Sequence, residues 1–269
     1  MLKSRIITAL IIAPSAIAAI FLLPLGWFAV VFGVVGGLGA YEFGGLVGLQ
    51  QMASRIAFVA VYTLLALVTW WFKALMPLGL WLGALIWALA VLSVMTYPGN
   101  ARIVEHRWLM GIAGLIISWA AWIALVVIRS APDGSLWILW LFLLVWGADV
   151  GAYFVGKRFG RTKLAPLVSP GKTWEGIWGG LVIASIACAA VLQFMGRFNF
   201  GWLLIMLVLI AISVFGDLFE SVVKRVRGVK DSGSLLPGHG GVLDRIDSVI
   251  AVLPFFALIL IYGGLSDTV

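Results

Sequence analysis

The chain has 269 residues, of which 63% are apolar and 11% charged, and its net charge is +7. A soluble domain carries about 25% charged residues, so this composition excludes an ordinary water-soluble core and requires a bilayer as solvent. The single cysteine, Cys188, excludes an intramolecular disulfide or a cysteine-rich metal site, and its place in an apolar run at 181–192 reads as packing.

Runs of ~20 apolar residues, the length that crosses ~30 Å of hydrocarbon, follow one another along the sequence. Nine spans are expected, near 5–23, 25–49, 55–72, 74–97, 108–128, 136–156, 174–195, 200–223 and 246–265. Lys3 and Arg5 precede the first, but Pro14 and the long run after it suit a retained span better than a cleaved signal. Pro24 separates the first two spans. Lys73 alone separates the third from the fourth, so eight spans is the alternative count. Gly (32) and Trp (14) are abundant, as expected where Gly permits close helix crossings and Trp sits at the membrane interfaces.

With a cytoplasmic amino terminus, 15 of the 18 basic residues fall on the cytoplasmic side, and only Lys73, Arg129 and Arg197 fall outside. That agrees with the positive-inside rule. The same topology puts two polar loops, 157–173 and 224–245, on one face, where they can build one site. The fold class is therefore all-α, a polytopic integral membrane bundle of about nine helices with its site at the cytoplasmic face. Residues 1–128 form an amino-terminal set of helices, with a structural role and room for lipid access or oligomer contacts. Residues 129–269 hold nine of the eleven acids and form the region where chemistry is expected.

Carboxylates inside apolar runs are costly, at least ~2.5–3.5 kcal/mol each at mid-bilayer on insertion scales, and mark function or deliberate pairing. Asp149, Asp217 and Glu220 are of this kind. Asp149 shares a helical face with Tyr153. Asp217, Glu220, Ser221 and Lys224 fall at i, i+3, i+4 and i+7, one helical stripe. The structural alternative is that these acids pair with lysines to hold the bundle. Glu42, alone in YEFGG, is open to either reading. Asp244 and Asp247 begin the last span, where one Asp would be read as a helix cap. Two on one face beside Asp217 favour oxygen ligands for a hard cation such as Mg²⁺, which takes one or two carboxylates with phosphate oxygens and water.

Lys224, Arg225, Arg227 and Lys230 suit anionic headgroups or polyphosphate. Gly233, Gly238, Gly240 and Gly241 give a backbone that can approach phosphate closely, and His239 in that loop can donate to a phosphate oxygen or bond its own backbone. Gly171-Lys172-Thr173 invites a Walker A reading, but that pattern needs Gly where position 166 is Pro, and a preceding strand. Residues 169–173 read instead as a turn leading into the seventh span, with Glu175 in its first turn.

Three stretches carry a resemblance: Ser221-x-Val223-Lys224-Arg225, then Lys230-Asp231-x-Gly233, then Leu236-Pro237-x-His239-Gly240-Gly241-Val242-x-Asp244-Arg245-Ile246-Asp247. Together they resemble the motif of the phosphatidate cytidylyltransferase (CDP-diacylglycerol synthase) family, filled at all its characteristic positions across 27 residues. The likeness extends back through Gly216-Asp217-Leu218-x-Glu220, SPGKTWEG and Asp149-Val150-x-Ala152-Tyr153, covering about 146–255. Gly171 departs from it, standing where a second basic residue is common and leaving Lys172 as that loop's phosphate ligand.

The resemblance implies transfer of CMP from CTP to phosphatidic acid, giving CDP-diacylglycerol and pyrophosphate in phospholipid biosynthesis. It implies Asp217, Asp244 and Asp247 as metal ligands, directly or through water, and as catalytic residues with Lys224 and Lys230. Arg225 and His239 would hold phosphates, Ser169, Lys172 and Ser221 would contact nucleotide or phosphate, and Asp149 would support the site. The cofactor is Mg²⁺, with one or two cations left open. The partners are CTP, phosphatidic acid and membrane lipids, without nucleic acid, and a homodimer is left open. The location implied is the inner membrane, with the site facing the cytoplasm. Two rivals remain: a cation-coupled transporter, and another CTP-dependent lipid enzyme such as a polyprenol kinase.

Overall fold

The computed structural model describes residues 13–235 and 240–263. It is a bundle of long helices: α1 (Ala13–Leu22), α2 (Leu25–Leu46), α3 (Met52–Trp71), α4 (Met76–Thr96), the short α5 (Ala101–Glu105), α6 (Arg107–Ser130), α7 (Gly134–Phe159), α8 (Trp174–Phe194), α9 (Gly201–Val226) and α10 (Leu243–Tyr262). Among the described residues eight are long and apolar enough to cross a membrane. The chain is thus an all-α, multi-pass membrane protein. The expected spans from the second to the ninth correspond to these eight. Residues 5–12 of the first lie outside the described residues, and α1 is its remainder. The weak boundary at Lys73 is real: Phe72 and a 3₁₀ turn, Lys73–Leu75, separate α3 from α4.

The most enclosed helices are α6 and α10, and α2 and α4 both pack against α6. A second pairing sets α7 along α8, and α9 lies along α10. The α7–α8 seam is made of small residues: Gly147, Gly151 and Gly156 against Gly176, Gly180 and Ala184. At Gly180 a Cβ would meet the Ala148 carbonyl oxygen and come within 3.0 Å of the Ala152 nitrogen. Close backbone approach of this kind is how small-residue stripes join helices in lipid, where apolar burial gives no net drive.

Tryptophan is used in two ways. Trp27, Trp71, Trp81, Trp108, Trp146, Trp174 and Trp178 are exposed, as interface residues would be, and Trp87, Trp119, Trp122, Trp137, Trp140 and Trp202 are buried. For three of them the indole N–H is satisfied inside the bundle, whereas Trp87 Nε1 is buried with no partner among the described residues. Trp119 Nε1 donates to Thr69 Oγ1 at 3.0 Å, Trp122 Nε1 to the Ala29 carbonyl at 2.9 Å and Trp140 Nε1 to the Cys188 carbonyl at 3.2 Å. Trp137 and Trp202 stack at 5.2 Å and Trp140 and Phe256 at 5.4 Å, knitting α7, α9 and α10 together.

The 157–173 loop also departs from expectation. Instead of a simple turn it forms an antiparallel ribbon, β1 (Lys163–Ala165) with β2 (Ser169–Thr173), pairing Lys163 with Thr173 and Ala165 with Ser169. Strands of three and five residues are too short to display a period of two in sequence. Thr173 then caps α8, its Oγ1 accepting from Gly176 N at 3.2 Å, and Glu175 accepts from the backbone N–H groups of Arg161 and Thr162 at 3.0 and 3.1 Å.

Candidate active site

The carboxyl-terminal end of α9 carries the stripe Asp217, Glu220, Ser221 and Lys224. A Schellman motif closes the helix, with Gly228 at positive φ, Val229 N donating to the Lys224 carbonyl and Gly228 N to the Arg225 carbonyl. This turn sends the chain into the loop that returns as α10. Gly216 lets α10 approach: a Cβ there would crowd Ala251 Cβ at 2.6 Å and the Asp247 carbonyl at 3.0 Å. Asp217 on α9 and Asp247 on α10 are thereby brought within electrostatic range, and Asp247 faces Glu220 as well.

Two lysines bind the parts together. Lys172, from β2, pairs with Asp217 at 2.6 Å. Lys224 pairs with Glu220 at 2.5 Å and with Asp244 at 2.7 Å. Asp149, on α7, is in electrostatic range of both Lys172 and Asp217. Ser221 Oγ donates to Asp217 Oδ1 at 3.3 Å. The two polar loops therefore meet, as the shared-site expectation requires, and four elements (α7, β2, α9 and α10) converge on one cluster.

Asp244 is not a simple cap. Its Oδ1 accepts from Lys224, and its Oδ2 accepts from Gly241 N at 2.8 Å and Ser232 N at 3.0 Å. It thus clamps both ends of the loop between α9 and α10. Arg225 reaches back to the ribbon, its Nε donating to the Val168 carbonyl at 3.1 Å. Lys230 is exposed, and Ser169 lies half-buried on β2. His239 falls outside the described residues. Tyr153, one turn on from Asp149 in α7, is exposed, its ring 5.5 Å from that of Phe154.

Two acids outside the expected site set join it. Glu220, whose structural alternative was a lysine pair, makes that pair with Lys224. A cavity of about 20 Å³, room for about one water, lies between Trp87, Gly216, Glu220 and Asp247. Glu42 arrives from α2, is only 2% exposed, and accepts from Leu243 N at 2.8 Å. Its sequence signal was the general one of an acid inside an apolar run. Nothing local links position 42 to a loop some 200 residues away.

The sequence profile of the cytidylyltransferase family matches residues 3–262. The chain belongs to this family. It is 44% identical over 267 residues to the phosphatidate cytidylyltransferase of Pseudomonas aeruginosa, covering 98% of both chains. It is 37% identical over 281 residues to that of Haemophilus influenzae, covering 96% of this chain and 98% of the relative. The phosphatidate cytidylyltransferase of Bacillus subtilis is 39% identical over 180 residues, 64% of this chain. The match to the family therefore takes in α2–α6 as well as the motif-bearing helices.

Proposed function

We propose that this chain is a phosphatidate cytidylyltransferase of the inner membrane, with its site at the cytoplasmic face. The observation that carries the reading is the paired cluster Lys172–Asp217 and Lys224–Asp244, which joins the ribbon, α9 and α10 at the family motif. In the reaction a phosphatidate phosphate oxygen bonds to the α-phosphorus of CTP, the α–β anhydride bond breaks, and pyrophosphate leaves. The attacking phosphate is already anionic at neutral pH, so no dedicated base is needed. The obstacle is repulsion between anions, which fixed positive charge at the reacting phosphates offsets.

The residues fit Mg²⁺. Asp149, Asp217, Glu220, Asp244 and Asp247 outnumber Lys172 and Lys224, so the cluster has carboxylates to spare for a cation. Among the described residues no group of three acids or histidines is placed to hold an ion by itself, so Mg²⁺ would need phosphate oxygens and water beside one or two carboxylates. Asp217, Asp244 and Asp247 would hold it, one or two of them directly and the rest through water. Bound there, it would neutralise phosphate charge and polarise the phosphoryl oxygens. Lys172 and Lys224 would bind the phosphates, joined by Arg225, Lys230 and His239, with Ser169 and Ser221 at their edge and Asp149 beside Lys172. The site lies at helix ends, with Lys224 in the last turn of α9 and Asp244 in the first of α10. That placement suits a soluble nucleotide and a headgroup better than midplane transport. The amino-terminal helices serve as scaffold and as the surface for lipid and for any second copy of the chain.

The test is purified protein with CTP, phosphatidate and Mg²⁺. Pyrophosphate should be released and the cytidylyl group should appear on lipid, and chelation should stop both. Release of CDP with a phosphorylated lipid would replace this reading with a kinase. Sidedness is tested separately with Arg161→Cys and Ser234→Cys, since Cys188 is buried and both new positions are exposed. Both should react only with reagents admitted to the cytoplasm, and labelling from opposite faces would overturn the shared-face topology.

A further inference from the structure

Glu42 lies in the amino-terminal half, yet its contacts are with the motif loop. Its Oε2 accepts from Leu243 N, the residue before Asp244, at 2.8 Å, and from Ser232 Oγ at 3.4 Å. The carboxylate rests against Gly233 and Gly241, and a Cβ on either glycine would collide with it. Its Oε1 has no hydrogen-bond partner among the described residues.

Ser232 and residues 241–243 are also what Asp244 holds, through Ser232 N and Gly241 N. The two ends of the loop are thus gripped by two carboxylates, one intrinsic to the motif and one supplied by α2. The geometry points to Glu42 as a positioning residue for the transfer reaction: it fixes the start of α10 and the loop ends so that Asp244 meets Lys224. The need for an acceptor at this position has a physical basis. The amino terminus of α10 presents free N–H groups, and Glu42 Oε2 accepts from one of them, Leu243 N. The two glycines are needed because the carboxylate occupies the space their side chains would take. A carboxylate buried in this way is costly unless its hydrogen bonds are made, so the contacts to Leu243 N and Ser232 Oγ, which are made through Oε2 alone, are what hold it in place.

This inference rests on the proposed reaction for its kinetic arm only. The test compares Glu42→Gln, which keeps an acceptor oxygen at the same reach, with Glu42→Asp, which withdraws the carboxylate by one methylene while preserving charge. Both are read by amide hydrogen exchange over 231–244 and by steady-state kinetics in the full-length protein. Glu42→Asp should speed exchange at Leu243 and lower kcat by about 10-fold or more, the range for outer residues that orient a site, with KM for CTP changing less than kcat. Glu42→Gln should stay near wild type in both. Wild-type exchange and kinetics in Glu42→Asp would overturn the assignment. So would a Glu42→Gln protein as impaired as Glu42→Asp or more so, because the charge and not the hydrogen bond to α10 would then be what matters. Exchange is independent of turnover, so a wild-type protein without transferase activity would reject the reaction and leave the loop contact to be judged by exchange alone.

Discussion

Asp217→Asn should lower kcat by roughly 100-fold or more, the scale of removing one fixed electrostatic partner from a reacting centre, while the protein remains inserted and folded. Asn matches Asp in size and keeps an acceptor oxygen for Lys172 and for the Ser221 hydroxyl, the two groups that hold Asp217, so the fold should survive the loss of charge. Asp244→Asn should lose activity and also stability. Asp244 accepts from Lys224 and from two backbone N–H groups, and an amide nitrogen placed among these donors leaves at least one unsatisfied, at about 1–3 kcal/mol. If Asp244 were only a helix cap, Asn would serve nearly as well. Asp247→Asn should behave as Asp217→Asn does, since both face the same space between α9 and α10. Turnover and thermal unfolding of the three variants in detergent separate these cases. Near-normal turnover in all three would place the cation elsewhere.

The second large effect is expected at the α7–α8 seam. Gly180→Leu should fail to yield folded protein, because the side chain would have to displace the α7 backbone at Ala148 and Ala152. Gly180→Ala should fold with a loss of about 1–3 kcal/mol, the usual cost of overpacking. Gly171→Ala provides the control: nothing lies within 4 Å of a Cβ there, so unfolding should be unchanged. An unaltered unfolding temperature in Gly180→Leu would mean that α7 and α8 do not meet along this seam. The effect should reach the site, because the seam holds Asp149 beside the strand that carries Lys172.

Much of this arrangement was legible in the residues. Span positions follow from hydropathy because a bilayer admits only segments whose backbone bonds are internally satisfied. The stripe Asp217–Lys224 followed from helical periodicity, and the meeting of the two polar loops from the asymmetry of basic charge. What was not legible depends on pairing between distant residues. The ribbon at 163–173 is too short to announce itself. The buried indoles depend on acceptors such as Thr69 and the Ala29 carbonyl, far away in sequence. Glu42 reads as one acid in an apolar run until α2 is laid against the start of α10. The roles of Lys172 and Lys224 as partners of particular carboxylates are likewise a matter of tertiary geometry.

The ribbon that bears Lys172 has a further consequence. Two short strands alone are marginal in water, so this one stands because of what it is fastened to. Trp174 N bonds the Thr162 carbonyl, Glu175 holds the backbone before β1, and Arg225 Nε holds the Val168 carbonyl at the tip. The ribbon is in effect a tethered lever: its root is fixed by the first turn of α8 and its tip by the last turn of α9. The reach of Lys172 is therefore set by two helices to which it does not belong.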